Sequence, residues 1–177
     1  MPRPPASGAA LLRQIDAAAR ALLPGALTLG LIVVAAVPIG TVGLVPAVAL
    51  PCILFWGMHR PAQMPPPAVF GLGLLVDLLT AAPFGSGVLV LLVAHGLVTR
   101  LRRFLLRRSF PVAWLVFSGF ALGAGLLQWA LQVLLDLHLV PLAPALRQAL
   151  LTAGLYPPLA WLLLRVHRAM LWAEAVP

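Results

Sequence analysis

The chain has 177 residues, 62% of them hydrophobic and only 9% charged. A soluble domain carries roughly a quarter charged residues, so water is excluded as the main solvent for this surface. The net charge of +8 comes from twelve Arg, no Lys and four acidic residues, but the arginines lie between apolar segments, not in a stripe interleaved with aromatics. That distribution fits orientation in a bilayer and argues against nucleic acid as a partner. Apolar segments recur from Leu22 almost to Met170. The expected organisation is a basic amphipathic leader over 1–20, a transmembrane domain over 21–170 and a short tail over 171–177. Cys52 is the only cysteine, which excludes an intrachain disulfide and argues against a cysteine-based metal centre.

In the leader, Leu11, Leu12, Ile15, Ala18 and Leu22 recur at helical spacing, with Arg13, Asp16 and Arg20 largely on the other side. It reads either as a helix lying on the inner membrane surface or as a basic leader that only fixes topology. The following apolar segment continues for about twenty residues without a small-residue cleavage signal, so it is expected to stay attached.

A hydrocarbon core of roughly 30 Å needs about 20 helical residues, and irregular backbone facing lipid leaves polar groups unpaired. Spans are therefore expected at 22–42, 44–58, 68–82, 87–101, 112–135 and 148–166, the second to fourth being short. Between the second and third, the stretch from Arg60 with Pro61, Pro65, Pro66 and Pro67 predicts a stiff extended connection. Pro46, Pro51, Pro83, Pro157 and Pro158 predict kinks or broken turns. The fold class is all-α, an integral membrane bundle of about six transmembrane helices with cytoplasmic N and C termini. This topology puts eleven arginines inside and only Arg147 outside, a strong positive-inside asymmetry.

Asp77 lies about ten residues into the third span and shares a helix face with Gly73 and Thr80. An acid near the bilayer centre costs about 2.5–3.5 kcal/mol on insertion scales, so it must face protein or water and find a donor. It reads either as a tie between helices or as a proton, substrate or partner site. As a hydrogen-bonded tie, it should tolerate Asp77→Asn, while Asp77→Leu should lower folded yield by leaving donors unpaired. His95, on the next span, is expected to be a hydrogen-bonded packing residue and not a ligand. On the fifth span, Ser118, Ala121, Gly125, Gln128, Gln132 and Asp136 fall within about 80° at 100° per residue and should face other helices. Gly119 and Gly123 form a GxxxG pair pointing elsewhere, which would let another helix approach. Arg100, Arg102, Arg103, Arg107 and Arg108 form a basic cytoplasmic loop suited to anionic lipid or an acidic partner, or simply to setting topology.

An enzyme is not expected. Gly85-Ser86-Gly87 resembles the serine motif of rhomboid proteases, but Phe84 stands where that motif needs glycine and His167 falls at the end of the last span. No phosphate-cradling loop, paired metal-binding acids or redox motif is present, so no metal or cofactor is expected.

From Leu44 to Leu101 the chain resembles the bacterial rod shape-determining protein MreD. The features run in order: Pro46 and Pro51 before Phe55-Trp56; the turn His59-Arg60-Pro61; Gly73 and Asp77-Leu78 within an apolar helix; and Pro83-Phe84-Gly85 before the next helix. Tyr156-Pro157-Pro158 followed by Arg165 and Arg168 is similar to the family's last helix. The resemblance implies a non-enzymatic inner-membrane scaffold of the rod-elongation complex, controlling cell shape by binding an MreC-like bitopic protein. It further implies association with the MreB filament, RodA and a class B penicillin-binding transpeptidase, which would help to position peptidoglycan synthesis. A competing expectation is a substrate-binding subunit similar to the S components of vitamin transporters, with Asp77, His95, Gln128 and Gln132 lining a polar pocket.

Overall fold

The structure, a computed structural model, describes residues 8–37, 43–80, 83–136 and 141–175. Among the described residues are six α-helices, one 3₁₀ turn (Pro61–Gln63) and no strand. The helices are α1 (Gly8–Ala36), α2 (Leu44–His59), α3 (Pro66–Thr80), α4 (Ser86–Leu105), α5 (Phe110–Asp136) and α6 (Ala143–Ala175). The all-helical expectation holds. Phe110–Leu135 of α5 and Ala143–Trp172 of α6 are long and apolar enough to cross a membrane. Only 17% and 28% of their most apolar stretches are buried, unlike the core helices of a soluble protein.

The centre of the bundle is α2, which touches α1, α3, α4 and α6 and is buried at every position from 47 to 57. A helix that is apolar on all sides belongs inside. Its 16 residues rise only about 24 Å, short of a bilayer core, and neighbouring helices enclose that length. The outer helices present large apolar side chains outward: Leu78, Leu115, Leu150 and Trp161 are each more than half exposed. Such a belt is the reverse of a surface built for water.

Helix directions alternate. The end of α3 meets the start of α4 through Asp77 and Gly85, whereas α2 and α6 run parallel, Gly43 pairing with Gln148 and Arg60 with His167. The C-terminal ends of α2, α4 and α6 thus gather Arg60, Arg100, Arg102, Arg103, Arg165 and Arg168 at one end of the bundle. Arg147, near the start of α6, lies at the other.

Several local expectations need correction. The proline-rich connection is not extended. Pro61 opens a 3₁₀ turn and Pro66 opens α3, because proline at the start of a helix gives up only an amide that has no helical partner there. The Pro65 carbonyl accepts the N–H of Ala68 and of Val69 at 2.9 and 3.2 Å. Of the kinks or broken turns expected at prolines, the broken turn fails at Pro51, Pro157 and Pro158, since α2 and α6 run through them, and Pro46 falls in the first turn of α2, where a missing N–H is cheap. The fourth helix reaches Leu105, so Arg100, Arg102 and Arg103 lie on its last turns and not in a loop. Arginine is a good helix former, and cations suit a helix C-terminus. The boundaries drawn at 20 and 170 fall inside α1 and α6, and α1 is one unbroken helix across the leader and the first apolar segment. The far ends of the expected first and third spans, 38–42 and 81–82, lie outside the described residues, as do 1–7 and 176–177.

Candidate functional site

Asp77 sits near the end of α3 and is 1% exposed. One carboxylate oxygen, Oδ1, accepts the Gly87 N–H at 2.8 Å. The other, Oδ2, accepts the Gly85 N–H at 2.8 Å and is approached by the Val88 N–H at 3.4 Å. These amides belong to the first turn of α4, where helical partners are missing. Gly85, the residue capping α4, has φ +90° and no capping side chain; glycine permits that left-handed turn, and Asp77 caps from the neighbouring helix. Negative charge at a helix N-terminus is also favoured by the helix dipole.

Two glycines make the approach possible. A Cβ on Gly73 would lie 2.8 Å from the Val88 Cα, and one on Gly87 would collide with Asp77 Oδ1. Pro83 closes the turn, its carbonyl accepting the Ser86 N–H at 3.0 Å. The Ser86 hydroxyl oxygen then accepts from Gln128 Nε2 at 2.9 Å, joining α5. Gly73, Asp77, Pro83, Gly85 and Gln128 therefore converge at one corner. Thr80 does not join them: its hydroxyl donates to the Val76 carbonyl at 2.7 Å. Gln132, one turn beyond Gln128, is half-buried. His95 lies nine residues along α4 from Ser86, about 13 Å away, and packs over Gly57 of α2, where a Cβ would be 2.9 Å from its Nδ1. Among the described residues, that nitrogen and the Trp56 indole N–H are buried without a hydrogen-bond partner, so His95 packs here without the hydrogen bond expected at that nitrogen. On the fifth-helix stripe, Ala121 and Gly125 are buried, whereas Ser118 donates to its own helix at the Trp114 carbonyl; the Asp136 side chain lies outside the described residues.

Sequence reasoning missed two ties. Proline at 157 has no N–H for the carbonyl four residues earlier, and that freed Ala153 carbonyl accepts the Trp114 indole N–H from α5 at 3.0 Å. Trp and Pro on successive helices were the only signal, since the pairing needs helix register to be known. At the same end as Asp77, Gln148 Nε2 donates to the Gly43 carbonyl at 2.8 Å.

At the opposite, arginine-rich end, His59 stacks on Phe55 with centroids 4.2 Å apart, and its Nδ1 lies 3.0 Å from the Phe55 carbonyl. The His167 ring is 5.3 Å from it, and Arg60 Nε donates to His167 Nδ1 at 3.3 Å. Burial pushes the His59 pKa below the ordinary histidine value, with the bond to Phe55 pulling the other way. Arg107 and Arg108 follow α4 in an exposed turn, the Arg108 guanidinium lying 4.6 Å above the Phe104 ring.

Between α4 and α5 runs an open groove of about 340 Å³, lined only by apolar residues and glycine, among them Val90, Leu97, Leu101, Phe120 and Leu127. Gly119 and Gly123 are in its wall, and a Cβ on either would meet nothing within 4 Å. Among the described residues, no other helix closes on the GxxxG pair. The groove's lining offers no titratable group for acid–base chemistry and suits an apolar chain. Among the described residues, no cluster of three or more His, Cys, Asp or Glu side chains could hold a metal ion. Comparison with protein-family models, curated proteins and solved structures gives no match to this chain.

Proposed function

We propose that this chain is a multi-pass protein of the bacterial inner membrane, with six spans and cytoplasmic termini, and that it is a non-enzymatic, MreD-like scaffold of the rod-elongation complex. Its partners would be an MreC-like bitopic protein and, within the complex, the MreB filament, RodA and a class B penicillin-binding transpeptidase. The observation that carries the scaffold reading is the engagement of Asp77. Both of its oxygens are occupied by backbone amides of α4, so the one acid of the third span holds two helices together. A transporter-like pocket would need Asp77, His95, Gln128 and Gln132 around one polar space. Instead, Gln128 is tied to Ser86, His95 faces Gly57 and the 340 Å³ groove is apolar. The gathering of arginines at one end supports the orientation through the positive-inside rule.

The test is depletion of the protein in its native host, with cell width followed by microscopy and the protein restored from a plasmid. Rounding or swelling reversed by the plasmid is the expected result. Unchanged shape together with a nutrient requirement would overturn the scaffold in favour of the vitamin-transporter class.

A further inference from the structure

The α4–α5 groove has a length, a lining and a mouth that together specify an occupant. On α4 it runs from Val90 to Leu101 and on α5 from Val116 to Leu127. Eleven residue-to-residue steps on either wall rise about 17 Å. Half of a hydrocarbon core of roughly 30 Å is about 15 Å, so the groove matches one leaflet's acyl chain and is too short to cradle a complete transmembrane helix. It also ends beside positive charge. Phe104 lies two turns beyond Leu97 on the same face of α4, and the Arg108 guanidinium sits over its ring. Arg100, about 60° around the helix from Leu97 at 100° per residue, is exposed like Arg108.

From this charge complementarity and length match, we infer that the α4–α5 groove binds one anionic phospholipid of the arginine-side leaflet, one of its two acyl chains along Gly119 and Gly123 and its phosphate at Arg100 and Arg108. The inference rests on the membrane reading above and adds a ligand to it. An apolar trough alone would take any lipid; the arginines at its mouth select the headgroup. A basic residue near the surface contributes about fivefold in affinity for anionic lipid, so the pair gives a preference of about 5- to 25-fold.

The test begins with alkaline carbonate extraction of membranes from expressing cells, which examines the membrane reading by itself. The full chain is then purified in detergent, exposed to equal amounts of phosphatidylglycerol and phosphatidylcholine with identical acyl chains, and examined by native mass spectrometry. We expect one retained lipid with at least a fivefold preference for phosphatidylglycerol. Gly123→Leu, which fills the groove where a side chain meets open space, should reduce retention of both lipids to background. The double variant Arg100→Gln/Arg108→Gln should keep a lipid but lose the headgroup preference. Protein released by carbonate would overturn the membrane reading and the lipid site together. Membrane-retained protein without the preference, or Gly123→Leu binding lipid as the wild type does, would overturn the lipid site alone. A co-purifying single-span protein released by Gly123→Leu, with no lipid preference, would assign the groove to a helix and overturn the lipid assignment.

Discussion

Replacing Asp77 by leucine removes the acceptor for three amides at the start of α4. Two of those bonds are 2.8 Å long and one is 3.4 Å, so only two weigh heavily. Leaving a buried N–H unpaired costs about 1–3 kcal/mol, which makes Asp77→Leu destabilising by roughly 2–6 kcal/mol. Asparagine keeps one oxygen but turns an NH₂ group toward the donors that the other oxygen served. With both oxygens engaged, Asp77→Asn should therefore lose about half as much, where the sequence alone leads to the expectation that it is tolerated. Cys52 supplies the assay: it is the only cysteine and is fully buried, so a thiol-reactive fluorophore labels it only when the bundle opens. A loss of 2 kcal/mol raises the open population, and with it the labelling rate, about thirtyfold. Thr80→Val, which removes a bond within α3 alone, should change the rate less than threefold. If Asp77→Leu and Asp77→Asn both label within threefold of wild type, the cross-helix cap contributes nothing and the reasoning fails.

Other consequences can be checked with the same labelling measurement. Gly73→Ala and Gly87→Ala force a methyl against the Val88 backbone and the Asp77 carboxylate and should each cost about 1–3 kcal/mol; Gly119→Ala, facing open space, should stay within about 0.5 kcal/mol of wild type. Trp114→Phe should cost about 0.5–1.5 kcal/mol, and much of that loss should disappear in a Pro157→Ala background, where the backbone N–H restored at that position can serve the Ala153 carbonyl. The lowered His59 pKa means that the folded state binds fewer protons than the unfolded state below the ordinary histidine value. Its contribution to stability is full above about pH 6.5 and is lost as pH falls through the lowered value. Cys52 protection, taken at each pH relative to labelling of the denatured chain because only the thiolate reacts, should weaken as pH falls below about 6.5, with His59→Asn flattening that slope; an identical slope in the variant would exclude His59. If the chain is the scaffold proposed above, charge reversal at Arg102, Arg103, Arg107 and Arg108, with insertion preserved, should weaken partner recruitment and widen cells; unchanged recruitment and width would remove that cluster from the proposal.

How much could be read from sequence follows from the range of the forces involved. Helices were legible because each apolar segment carries its own signal: α2 and α5 begin within two residues of the expected spans. Asp77 was legible as an anomaly, since a lone acid in an apolar helix demands a donor. Its partners were not, because backbone amides leave no mark in composition; Gly85 stood out in the sequence as part of a turn, but its amide and that of Gly87 became recognisable as donors only once the turn placed them beneath the carboxylate. Thr80 shows the limit of helical-wheel reasoning. A hydroxyl can satisfy itself on its own helix, so sharing a face with Asp77 did not make it a partner.

The same distinction separates the two small-residue faces of α5 and bears on what the bundle can do. Gly125 lies under α6, where a Cβ would be 3.1 Å from the Ala145 carbonyl, so its smallness is used for packing within the chain. Gly119 and Gly123 have the same chemistry but remain uncovered, although α4 and α5 are packed neighbours. Close packing is the main source of helix cohesion in lipid, and an unfilled trough forfeits it. A ligand that fills the trough would recover those contacts and stabilise the folded bundle in proportion to its occupancy. The Asp77 corner fixes the start of α4 through the amides of Gly85 and Gly87, and the open groove begins beyond it at Val90 and follows α4 toward the arginines. Tightening the first should leave groove binding intact, whereas Gly123→Leu should abolish binding without loosening the corner. That separation makes holding the bundle together and engaging a hydrophobic ligand two independently measurable properties.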